Sequence, residues 1–150
     1  MMKELGSEIE IQASTERVWQ ILTDFKRFPE WNPFIRWVKG AAKAGARLEV
    51  RIQPSGTRGT TFRPVVLKVE QNRELRWLGR LLIPGLFDGE HIFCIEDIDD
   101  QKVRFTQREI FAGWLVPLLA HSLDTNTRRG FNEMNQALKV LAEQTVTKKP

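Results

Sequence analysis

Three side chains in two neighbouring hydrophobic stretches are placed to do chemistry together. His91 alternates with Phe93 and Ile95, and Gln107 and Glu109 alternate with Val103, Phe105 and Phe111, so in an extended chain each set shares one face. A turn near residues 99–101 pairs positions whose numbers sum to about 200, which sets His91 opposite Glu109 and Phe93 opposite Gln107. A carboxylate beside an imidazole fixes its tautomer and makes a general acid/base suited to an aldol cyclisation or a dehydration. The same trio also reads as a group that orients a bound molecule, or as an internal network that satisfies itself. A closed apolar core without partners would leave each desolvated, at a cost on the order of a few kcal/mol.

Other chemistry finds little support. The chain has no G-x-G-x-x-G, no Walker loop, no H-E-x-x-H and no G-x-S-x-G. His91 and His121 lie on different elements, and Cys94 falls on the face opposite His91, which speaks against a zinc site or a Cys–His nucleophile pair. No cofactor and no metal are expected. Cys94 is the only cysteine, so no internal disulfide forms, which suits a reducing compartment. Residues 1–10 lack the apolar core of a secretory signal, and the longest apolar run, 110–120, is broken by Gly113 and Pro117. The expectation is one soluble cytoplasmic domain over residues 1–150.

The net charge of +4 and pI near 9.5 raise the question of nucleic acid. Most basic residues have acidic neighbours, however. The even-numbered strand face carrying Arg76, Arg80, Arg104 and Arg108 also carries Glu90 and Glu96, with no aromatic platform between the arginines. Nucleic acid is therefore not an expected partner.

The elements that must hold the trio are set by periodicity. A first strand spans about 5–12. Ser14 offers an N-cap with Glu16 in the first turn, and Val18, Trp19, Ile21 and Leu22 give the short helix its apolar side. Residues 24–31 read as a second short helix, ended by the Asn32-Pro33 dipeptide. Strands come next at about 34–39, 47–53, 60–70, 74–80, 89–97 and 102–112, separated by turn signals such as Pro54-Ser55-Gly56 and Asp99-Asp100. Leu123, Thr127, Phe131, Met134, Leu138 and Leu141 recur every three or four residues and predict a helix over 123–143, roughly 30 Å long at 1.5 Å per residue. Asp124 with Arg128 and Arg129 with Glu133 support it at i,i+4. Gly130, beside the stripe, suggests close packing on a strand, with room for a ligand as the alternative. The predicted fold is α+β: a seven-stranded curved antiparallel sheet wrapped around a long C-terminal helix, with two short helices between strands one and two.

A ligand cavity is expected between sheet and helix. From the strands it would be lined by Trp77, Gly79, His91 and Phe93, and by Phe105, Gln107, Glu109 and Phe111. From the helical side it would take Leu119, Leu123, Thr127 and Phe131. Two unusually apolar loops, 81–87 and 114–117, meet at the same sheet end. Leu82, Phe87, Trp114 and Leu115 are the expected entrance, since loops are ordinarily polar. Such a cluster also fits a transient membrane contact or a homodimer contact.

Beyond their chemistry, these residues resemble a known group. Ala13-Ser14-Thr15-Glu16-Arg17-Val18-Trp19, Asp24-Phe25 and Trp31-Asn32-Pro33-Phe34 look like the opening of the START-like superfamily, also called the SRPBCC or Bet v 1-like helix-grip group, which includes polyketide cyclase/dehydrase-like proteins. Glu74-Leu75-Arg76-Trp77, Gly89-Glu90-His91-Ile92-Phe93 and Thr106-Gln107-Arg108-Glu109 leading to Gly113 are similar too. The resemblance implies a cavity between sheet and long helix. It carries over no catalytic residue, because the group shares a scaffold rather than a reaction. The expected function is binding or carriage of a small hydrophobic molecule such as a lipid or polyketide. The alternative is a cyclase/dehydratase-like enzyme using His91 and Glu109.

Overall fold

Ser14, three residues after the end of the first strand, caps the first helix: its Oγ accepts from the Arg17 backbone N–H at 3.1 Å, as its position before an apolar-sided run predicts. The computed structural model describes residues 2–80 and 83–144. In chain order these form β1 (Met2–Ile11), α1 (Thr15–Thr23), a 3-10 turn (Phe25–Arg27), α2 (Phe28–Trp31), β2 (Ile35–Lys39), β3 (Glu49–Ile52) and β4 (Thr60–Phe62). Then come β5 (Val65–Glu70), β6 (Glu74–Arg80), β7 (Asp88–Asp99), β8 (Lys102–Ala112), α3 (Val116–Ser122), a π-wound segment (Leu123–Thr127) and α4 (Arg128–Gln144). No helix among the described residues is long and apolar enough to cross a membrane.

Among the described residues there are eight strands rather than seven, in a five-stranded sheet ordered β1-β8-β7-β6-β5 and a three-stranded sheet ordered β2-β3-β4. The stretch expected as one strand over 60–70 is interrupted at Arg63-Pro64, because proline has no N–H to give to a ladder. The two sheets nonetheless meet. Arg47 bridges Val65, and Leu48 N–H donates to Pro64 O at 2.8 Å, so the strands curve as one antiparallel surface. The β7–β8 register is the expected one: His91 faces Glu109 and Phe93 faces Gln107.

The C-terminal helix begins earlier than its apolar stripe suggests. It runs for 29 residues from Val116 to Gln144, so half of the expected 114–117 loop is helix. Pro117 sits in the first turn, where a missing N–H costs nothing, and thus starts the helix instead of preceding it. Phe131, Met134, Leu138 and Ala142 are fully buried against the sheet, while Leu141, expected in that stripe, is only partly buried. Gly130 lies against the Phe34 ring, so close that a Cβ there would collide with it; close packing accounts for this glycine. Met134 and Leu138 belong to the same hydrophobic core as Leu5, Ile11, Val103 and Phe105.

On the outer face of the sheet the arginines are neutralised. Arg76 pairs with Glu74 at 2.6 Å and Glu90 at 3.1 Å, Arg104 with Glu96 at 3.1 Å, Arg108 with Glu4 at 2.9 Å, and Arg80 more loosely with Asp88 at 3.8 Å. Ile92 is buried on that face between Arg76 and Arg108, its register partners.

Candidate functional site

His91 and Glu109 meet because adjacent strands place them directly opposite. His91 Nδ1 lies 2.7 Å from Glu109 Oε1, and His91 Nε2 lies 2.9 Å from Gln107 Oε1, so both ring nitrogens are engaged. Gln107 Nε2 donates to Asn135 Oδ1 at 2.8 Å and approaches Phe131 O at 3.5 Å; Asn135 Nδ2 donates to Ser7 Oγ at 2.9 Å. One hydrogen-bonded chain thus runs from β8 through β7 to α4 and β1. His91 and Gln107 are 2% and 0% exposed, and partners of this kind are what permit such burial. The imidazole is gripped by aromatic rings, stacked on Phe93 at 4.2 Å and edge-on to Phe131 at 5.5 Å.

Above this chain lies a cavity of about 310 Å³. Its sheet wall includes Trp77, Gly79, His91, Glu109 and Phe111, and its helical wall Leu119, Leu123 and Thr127, all expected from the sequence. Phe93, Phe105, Gln107 and Phe131 do not line it. Phe93, Phe105 and Phe131 are packed in the solid core where α4 closes on the sheet, and Gln107 is spent on His91 and Asn135. The cavity occupies the other end, where the π turn widens the helix; Leu123, Asn126 and Thr127 of that turn all reach it.

The remaining wall was not legible in advance. Val50, Ile52, Thr60 and Phe62 from β3 and β4, with Pro54, Thr57 and Gly59 from the turn between them, form most of it, and Phe34 and Pro64 add to it. Alternation within 47–53 and 60–70 could have suggested it, but nothing in the sequence says which of these short strands folds over the cavity. The turn is tied to the helix at Ser55. Arg129 Nη2 donates to Ser55 O at 2.6 Å, Arg129 Nε to Ser55 Oγ at 3.1 Å, and Ser55 Oγ to Glu133 Oε2 at 2.7 Å. Ser55 therefore stands between Arg129 and Glu133, the two residues expected to pair directly.

The mouth is also displaced from its expected place. Thr60, Leu119 and Ser122 are the exposed members of the lining and mark an opening between β4 and α3. Phe87 is a buried wall residue stacked on Phe111 at 5.6 Å, not a rim residue. Trp114 is 83% exposed and outside the cavity, and Leu115 packs on the core. Backbone bonds from Trp114 N–H to Gly85 O and from Leu115 N–H to Leu86 O turn these side chains away from the opening. Leu82 lies outside the described residues.

Glu109 and His91 are the only ionisable groups lining the cavity among the described residues. Glu109 Oε2 has no hydrogen-bond partner among them, and the side chain keeps 15% exposure, so this oxygen is the acceptor the pair leaves open. Gly89 creates its space, because a Cβ built there would lie 2.5 Å from Oε2. Cys94 sits on the outer face, where burial pushes its thiol upward and favours the protonated form.

Comparison with known proteins agrees with this architecture. No curated protein sequence matches the chain. Among solved structures it is similar to the Zhui aromatase/cyclase from Streptomyces sp. R1128, with a TM-score of 0.79 and 14% identity over 97% of this chain and 96% of that one. It is similar to a START superfamily protein from Mycobacterium smegmatis, with a TM-score of 0.76 and 19% identity over 94% and 97%. A third similar structure is norcoclaurine synthase from Thalictrum flavum, with a TM-score of 0.72 and 11% identity over 99% and 90%. At these identities the likeness concerns the fold. The family profile described as "Polyketide cyclase / dehydrase and lipid transport" matches residues 2–143, nearly the whole helix-grip fold, and the chain belongs to that family.

Proposed function

We propose that this protein binds a small, mainly apolar molecule in the cavity between the sheet and the π-wound turn of the C-terminal helix. The observation that carries the reading is a largely aromatic and aliphatic wall that carries a few hydroxyl and amide groups (Thr57, Thr60, Ser122, Asn126, Thr127) and one open carboxylate oxygen, Glu109 Oε2, since pockets of this composition hold a ligand by area and orient it by a few polar contacts. The family description, which joins cyclase, dehydrase and lipid transport, fits a scaffold whose common element is such a cavity. The neutralised outer arginines fit a small-molecule partner better than a nucleic acid. Native mass spectrometry of the purified protein tests the reading. A retained molecule, lost on denaturation, supports it; a chain that stays empty after exposure to a lipid and aromatic extract speaks against it.

A second reading, catalysis of a cyclisation or dehydration, is favoured by the 2.7 Å contact between His91 and Glu109. In this reading the two take different parts. Both His91 nitrogens are engaged, so Glu109 Oε2 is the atom open to a ligand's proton, and His91 balances the charge that develops as the proton moves. In an aldol closure Glu109 would take the proton from the carbon that becomes nucleophilic, that carbon would bond to the carbonyl carbon, and the proton would return to the new oxygen. Turnover that survives Glu109→Gln unchanged removes this reading and leaves binding intact.

A further inference from the structure

The chain Ser7–Asn135–Gln107–His91–Glu109 has a direction. Phe131 O and Asn135 Oδ1, both acceptors, face the Gln107 amide on the helix side, at 3.5 Å and 2.8 Å, so its nitrogen belongs there and its oxygen faces His91. The reversed amide would set an oxygen against the Phe131 carbonyl. With Gln107 Oε1 as an acceptor, His91 Nε2 must carry a proton to satisfy the 2.9 Å contact. Nδ1 and the Glu109 carboxylate are then two acceptors 2.7 Å apart, a distance they hold only with a further proton between them.

We infer that Asn135 and Gln107 are positioning residues that keep one proton between His91 and Glu109, leaving the cavity with no net charge and suited to an uncharged ligand that donates a hydrogen bond to Glu109 Oε2. The proton count is the same whether the proton sits on nitrogen, as imidazolium and carboxylate, or on oxygen, as imidazole and carboxylic acid. In both states Glu109 Oε2 accepts. No other ionisable side chain among the described residues lines the cavity, and the rings around His91 are those of Trp77, Phe93 and Phe131. An ammonium or carboxylate on the ligand would therefore be buried without a counter-charge, the costly arrangement, whereas an alcohol or phenol would find its acceptor. The choice of an uncharged ligand rests on the proposed binding function; the placement of the proton does not.

Two measurements test the inference. The ligand-free protein, labelled with nitrogen-15 in its imidazoles, reports the protonation of each ring nitrogen of His91, with the exposed His121 assigned by His121→Gln. The expected spectrum at neutral pH shows His91 Nε2 protonated. Asn135→Leu, which removes the nearer of the two acceptors and leaves only the Phe131 carbonyl at 3.5 Å to orient Gln107, should let part of the population turn its amide and lower the protonation of His91 Nε2, while Asn135→Asp, which keeps the nearer acceptor, should preserve the wild-type pattern. An unprotonated Nε2 in the wild type overturns the inference without any variant having to fold. The second measurement compares 2-naphthol, 2-naphthoate and 2-naphthylmethylammonium. Naphthol should bind at least tenfold more tightly than either ion. Tighter binding of the ammonium would show an uncompensated carboxylate and overturn the neutral pair. If none of the three binds, it is the proposed ligand function that fails, and the imidazole spectrum still decides where the proton lies.

Discussion

Glu109 Oε2 occupies the place where a side chain at Gly89 would begin: the two positions face the same cavity from adjacent strands, and an ideal Cβ on Gly89 would lie 2.5 Å from that oxygen. The glycine has no unusual backbone angle, so its role is steric. The colliding atom is the far end of a flexible side chain, and the carboxylate can swing away at little cost to the fold. Gly89→Ala is therefore expected to break the His91–Glu109 contact while shifting Tm by no more than about 4 °C, equivalent to ~1 kcal/mol. Gly79→Ala is the control, since its Cβ would meet its nearest neighbour at an ordinary 3.7 Å. A spectrum of His91 that changed in both variants, or in neither, would contradict this account.

Gly130→Ala separates packing from helix propensity. Propensity alone favours alanine by about 1 kcal/mol. The Phe34 ring fills the volume a methyl would need, and that ring is itself held edge-on to Phe131 at 5.8 Å. Overpacking of this kind costs roughly 1–3 kcal/mol, so the variant should melt below the parent. A higher Tm would mean that the helix stands further from residue 34 than this contact requires.

The fold was legible where a single signal decides it. Alternation and the Asp-rich turn set the register of His91 on Glu109, and the 3.6-residue stripe identified Phe131, Met134 and Leu138 as the buried helix face. Pro117 misled because one residue type both breaks helices and starts them, and only the tertiary packing of the residues after it distinguishes the two. The cavity was half legible for a related reason. Inward direction comes from strand parity, but a residue that points inward meets either a cavity or a packed helix. Phe93 and Phe111 share an inward-facing sheet surface, yet Phe93 meets the core and Phe111 the open end. Nothing local marks the π turn, and the polar chain closes from Asn135 to Ser7 across 128 positions of sequence.

Acid should weaken the protein through two paired carboxylates. Burial by itself would raise Glu74, but Arg76 and Lys68 outweigh it and hold the carboxyl below its ordinary value. Lys139 and the Gln12 backbone N–H lower Glu143. A carboxylate depressed in the folded state contributes stability above its unfolded value, about 4.3, which is lost as pH falls through the lower folded value. The denaturation midpoint should therefore drop between roughly pH 5 and pH 3, and less steeply in a Glu74→Gln, Glu143→Gln double variant. Parallel curves for the two proteins would rule these groups out.

The turn between β3 and β4 covers one side of the cavity and is fastened by Ser55 to Arg129 and Glu133. Arg129→Met removes both Arg129 bonds to Ser55, and the Arg129 bond to Asn126, while the Ser55–Glu133 bond remains. Release of a bound apolar fluorophore, monitored by stopped-flow displacement, should become several-fold faster, with a change in Tm within about 4 °C. An unchanged release rate would show that ligands leave by another route.

The cavity itself is tested most directly by equilibrium binding of an uncharged naphthalene fluorophore to the wild type and to Thr127→Trp, in which the indole would fill the space beside the π turn. A ligand burying about 300 Å² of apolar surface gains roughly 7 kcal/mol at ~25 cal/mol per Å². Association costs of several kcal/mol bring the expected Kd into the micromolar range. Saturable one-to-one binding is expected in the wild type, with at least a tenfold loss in Thr127→Trp and the far-ultraviolet circular dichroism unchanged. No saturable binding in the wild type, or equal binding by both proteins, would contradict it.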